Sequence, residues 1–183
     1  MTTLTQGGGV RAMLAGLALA ACLALAGCFV SDAPLFDPRR GEAVFGKGVV
    51  SVVSQQKDQD AETNQLEWSP DGYIDPEDKD ADRTSFHHLP GSGWFSPWYV
   101  AQSGEKGGGY IYMLYRKRGG RLESYPVSCS DLTDAEAAAA HITRSESGSE
   151  CKATTAADLA QAFRILSRRL QPDGYLAVAK KPH

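Results

Sequence analysis

The sequence predicts an α+β fold: one domain with a mostly antiparallel sheet of six to seven strands and two C-terminal helices on one face. Three observations carry this reading. Apolar, β-branched and aromatic runs recur between residues 49 and 127, separated by turns rich in Gly, Pro and Asp. Two capping boxes follow, Thr133 with Glu136 and Thr155 with Asp158, each introducing strong helix formers. A strand-like run closes the chain. The 183 residues are 42% apolar with a net charge of −3, too apolar for disorder and not basic enough for nucleic-acid binding. A small closed β-barrel with a C-terminal helix is the alternative architecture.

In chain order, the first ten residues are polar and Gly-rich, Arg11 adds a positive charge, and residues 12–26 form an uncharged, mostly Ala/Leu run. This is the charged and apolar layout of a secretory signal. The apolar run is too short for a span, which needs about 20 residues. The segment ends Leu25-Ala26-Gly27-Cys28, which resembles the lipobox of bacterial lipoproteins. The resemblance implies that residues 1–27 are cut away and that the Cys28 sulfur takes a diacylglyceryl group, with a further fatty acyl chain such as palmitate on the new N-terminus. Phe29, where retained lipoproteins carry Asp, implies the outer membrane, with the domain facing the periplasm. Two or more acyl chains anchor firmly where a single chain does not. The partner implied is thus the membrane itself, with an envelope protein or glycan as a further candidate.

Cleavage would remove Arg11 and take the net charge from −3 to −4. Cys129 and Cys151 are then the two cysteines left beside Cys28, and in an oxidising compartment they are expected to pair. Residues 28–41, with two prolines and no periodicity, read as a lipidated tether on which Leu35 and Phe36 are able to dock; residues 42–183 form the domain.

Within the domain, residues 49–53, 65–68, 83–89, 94–102, 110–118 and 121–127 read as strands, with Gly119-Gly120 as a two-residue hairpin turn. Helices are expected from residue 135 to 142 and from 155 to 170, where Leu159, Phe163, Leu166 and Leu170 share one face. Pro172-Asp173-Gly174 stops the second helix before a strand at 175–180.

Chemistry-bearing patterns are sparse. Residues 57–83 hold ten acids and three bases, but a calcium loop started at Asp78 has Arg83 where the turn needs Gly and Leu89 where Glu belongs. A solvated acidic loop is the simpler reading. His87 and His88 are adjacent and on a strand face opposite ways, so they do not chelate one ion. An enzyme would need one of them, or His141, to meet a carboxylate in a cleft. No nucleophile, phosphate-loop or metal signature is present, so no catalytic residue, metal or cofactor is expected. A non-enzymatic interaction or assembly module is the leading expectation, with an envelope glycan or lipid binder as the alternative. The candidate binding surface is Trp94, Trp98, Tyr99, Arg116 and Arg118. The basic tip around Gly119-Gly120 is read as a solvated edge, or as a contact for anionic headgroups.

Overall fold

The computed structural model describes residues 28–78, 82–91, 97–105 and 108–179. It corrects the expected fold class. Among the described residues the strands do not lie in an open sheet but close into an eight-stranded antiparallel barrel, with three further short strands and two short α-helices outside it. The barrel strands are β2 (Val49–Gln56), β3 (Glu62–Ser69), β4 (Gly72–Ile74), β5 (Thr84–His88), β6 (Trp98–Gly104), β7 (Tyr110–Arg118), β8 (Arg121–Tyr125) and β11 (Gly174–Val178). Neighbours in sequence pair through hairpins from β2 to β8, and β11 enters between β2 and β8 to close the ring. Closure removes the edges that an open sheet would expose.

Alternation along each strand divides the apolar residues between two cores. Val52, Tyr73, Phe86, Tyr99, Ala101, Tyr115 and Leu122 fill the lumen. Phe45 plugs one mouth, where its ring packs on Tyr73 and Phe86 and its N–H donates to the Tyr73 hydroxyl at 2.9 Å. The opposite faces of β6, β7 and β8 carry Val100, Tyr112, Leu114 and Tyr125 outward. There they meet α1 (Asp134–Ala139) and α2 (Ala156–Leu166), so the helices cover part of the barrel wall. Both predicted capping boxes form, with Thr133 and Thr155 as N-caps. The Cys129–Cys151 disulfide is present.

The stretch read as a tether is built into the fold. Residues Phe29–Ser31 form β1, antiparallel to the first half of β7 and parallel to β10 (Cys151–Lys152), which in turn pairs with β9 (Thr143–Arg144). The reason is apolar burial. Phe29 has no exposed surface and meets Phe163 of α2 edge-on at 5.0 Å. Gln102 then pins Phe36 by hydrogen bonds to both its N–H and its carbonyl, each 3.0 Å.

The register also sorts charge. At one end lie the β7–β8 tip, the start of β2 and the end of β11, with Lys47, Lys117, Arg118 and Arg121. At the other end lie the β2–β3 turn and the connections after β4 and β6, with Asp58, Asp60, Asp75, Glu77, Asp78, Asp82 and Glu105 outnumbering Lys57 and Arg83. Gly119 and Gly120, at φ of 57° and 79°, make the tight turn that joins β7 to β8.

Candidate functional site

The strongest candidate site lies on the outer barrel wall, where the register lines up Trp98, Arg116, Glu123, Tyr175 and Gln55 in one row across β6, β7, β8, β11 and β2. Arg116 lies 5.4 Å from the Trp98 ring centroid, and Trp98 packs on Tyr125 at 4.6 Å. Arg121 covers the Tyr175 ring at 4.9 Å. The Glu123 carboxylate is buried, and a buried carboxylate needs compensation. Arg121 supplies it from 3.4 Å, and the Tyr125 hydroxyl donates a hydrogen bond at 3.3 Å. Burial pushes the Tyr125 hydroxyl up from its ordinary pKa, so it stays protonated as that donor.

Beside this row opens a concavity of about 420 Å³. The β2–β3 turn lines one side with Gln56, Lys57 and Asp58, and β8 lines another with Arg121 and Glu123. The floor is residues 172–175 at the start of β11. That floor is fixed by backbone bonds: Lys57 N–H donates to Asp173 O at 2.6 Å, and Asp173 N–H to Ser124 O at 3.0 Å. Ser124 Oγ donates to the Asp173 carboxylate at 2.8 Å. Gly174 is required here, because a Cβ would stand 2.4 Å from the Gln55 carbonyl oxygen. Gly174→Ala is expected to cost about 2–3 kcal/mol through this backbone clash, read as a lower urea midpoint.

The structure brings Trp98, Arg116 and Arg118 onto one outer wall, with Arg118 directly opposite Arg121. Tyr99 departs from that surface. It neighbours Trp98 in the chain and so faces the lumen, where it is 3% exposed. Its hydroxyl donates to Glu42 at 3.2 Å, and burial together with the Glu42 charge pushes its pKa up to about 12. Trp94 lies outside the described residues, as does Asp80 of the acidic stretch 57–83. Glu123, Tyr175 and Gln55 were missed in the sequence, because their row exists only once β11 is inserted between β2 and β8.

The three candidate histidines do not assemble. His87 is buried on the outer wall, stacked on Phe36 at 4.8 Å and bonded to Ser85 Oγ at 2.9 Å. His88 faces the barrel mouth with Glu42 at 3.1 Å. His141 is exposed after α1, with φ of 54°. None of them lines the concavity. Among the described residues no group of His, Cys, Asp and Glu is placed to hold a metal ion.

His87 gives a pH prediction. Burial lowers its pKa from 6.5 to about 4, opposed by the charge of Asp37. Above pH 6.5 the ring is neutral in both folded and unfolded chains. Below it the unfolded chain takes up a proton that the fold refuses, so stability falls as pH drops from about 6.5 to about 4, by up to ~3 kcal/mol. Urea midpoints measured across that window are expected to decline in the native chain, and less steeply in His87→Asn.

No protein-family model matches the chain, and no curated protein or solved structure shows significant similarity to it.

Proposed function

We propose that the mature chain is a non-enzymatic, lipid-anchored binding module of the outer membrane, facing the periplasm, and that it takes an envelope glycan in the outer-wall concavity. The lipobox Leu25-Ala26-Gly27-Cys28 supports the anchor, and the make-up of the concavity supports the ligand class. Sugar hydroxyls both donate and accept, so they suit a site that offers a guanidinium, carboxylates and side-chain amides around an aromatic ring. Arg121, Glu123, Gln56 and Tyr175 are that set. A large apolar protein-docking face has less support. Among the described residues the exposed large hydrophobics are Val49 and Val178, at 59% and 46%.

Two measurements test this. Cys28→Ser is expected to leave the chain unacylated, by intact mass, and released from the membrane fraction; a variant that keeps both lipid and membrane attachment would end the anchor reading. Soluble muropeptides from a peptidoglycan digest, titrated calorimetrically, are expected to bind the native chain and to bind Tyr175→Ala and Arg121→Ala about tenfold more weakly, a loss of ~1.4 kcal/mol. Binding that is unchanged in both variants, or absent from the native chain, would refute the concavity as a glycan site.

A further inference from the structure

We propose that the barrel leans on the inner leaflet of its membrane through the basic β7–β8 tip, with Lys117 and Arg118 against anionic phospholipid headgroups and acylated Cys28 as the pivot. This rests on the lipid-anchor reading above.

The pivot follows from how the chain leaves Cys28. A free linker of fourteen residues, the length of segment 28–41, would let the domain wander by roughly 20 Å. No such freedom exists at Cys28. Its carbonyl accepts a hydrogen bond from Cys151 N–H at 3.0 Å, and the Val30 carbonyl accepts one from Ala153 N–H at 3.0 Å. Phe29 between them is fully buried. Ser31 Oγ and the Tyr112 hydroxyl hydrogen-bond at 2.6 Å. The thioether would therefore emerge within a single residue of a fixed strand, about 3.4 Å.

The direction follows from the register. β1 runs antiparallel to β7 with Phe29 opposite Tyr112, so Cys28 stands level with Met113. The end of β1 that carries the lipid points toward the β7–β8 tip, roughly 20 Å further along the wall. A leaflet that receives the acyl chains thus meets the tip when the barrel leans toward it. Charge favours that lean. The tip is basic, and two acids on the same rim are already engaged, Asp71 by Arg39 at 3.5 Å and Glu42 by His88. Glu67 remains there as an opposing charge, and exposed Glu146 and Glu150, in the β9–β10 turn beside Cys28, oppose the lean at the pivot. The acidic rim, with Asp58, Asp60 and Glu105, is left facing the periplasm. Exposed Val178 adjoins the tip, since its neighbour Ala177 pairs with Arg121.

The test uses the acylated mature chain in nanodiscs containing phosphatidylglycerol and a doxyl-labelled lipid as quencher. Intact mass first establishes the lipid on Cys28; its absence would overturn the anchor reading and this one with it. A fluorescent amino acid then replaces Val178 in one sample and Asp60 in another. Quenching at Val178 is expected to be about threefold or more stronger, because roughly 25 Å of strand separates the two rims. Equal or reversed quenching on acylated protein would overturn the lean and leave the anchor intact. A Lys117→Glu, Arg118→Glu double variant, both positions exposed, is expected to reduce the difference by at least about half and to make it insensitive to salt. A difference unchanged by the charge reversal would overturn the tip as the contact.

Discussion

Replacing Phe29 by alanine is expected to lower the stability of the folded chain by about 3–5 kcal/mol, the range for truncating a buried aromatic side chain. The ring has no exposed surface, its edge meets Phe163, and it fastens a three-residue strand that joins β7 to β10. Urea unfolding followed by tryptophan fluorescence measures the loss. A midpoint within about 1 kcal/mol of the native one would mean that β1 contributes little, and that the domain is complete without it. Phe29 therefore has a packing duty whatever part it plays in membrane sorting.

Removing the disulfide, with Cys129→Ser and Cys151→Ser together, is expected to cost about 3 kcal/mol on the chain-entropy account for a loop of this length. Both cysteines are fully buried beside the core that holds Phe29, and Cys151 is the residue opposite Phe29 in the parallel pair. The two perturbations should thus not add. In a double-mutant cycle the combined loss is expected to fall short of the sum, because releasing β10 already loosens the seat of the ring. Unfolding of the native chain with and without reductant gives an independent reading of the disulfide alone.

The elements were largely legible in the sequence, and the architecture was not. The capping boxes at Thr133 and Thr155 form because their signal is local: a hydroxyl and a carboxylate three residues apart satisfy the first-turn amides. The Gly119-Gly120 hairpin is local in the same way. The two-faced strands β6 and β7 were legible as covered on both sides. Whether the second cover was another layer or the far wall of a barrel depended on β11 pairing with β2 and β8 at once, and no local pattern records that. β1 was missed because three residues between Cys28 and a proline-containing stretch are too few to show a period. At the candidate site, Trp98 with Arg116 came from composition and register within one hairpin. Glu123 and Tyr175 needed the closing strand to meet them.

The seating of β1 also orders events in the life of the chain. This strand is the first described element to be made, yet its parallel partner Cys151 lies roughly 120 residues further along, and pairings of that separation form late in folding. On the lipid-anchor reading proposed above, Cys28 and Phe29 would have nothing to pair with until β7 and β10 had crossed the inner membrane. A thiol awaiting a lipid donor and a peptide bond awaiting a peptidase would both be presented on extended chain. Once β10 arrives, the same backbone is locked between two neighbours. On that reading a precursor that folded before it was processed would hide its own cleavage site, and late closure of the barrel corner would give maturation its interval.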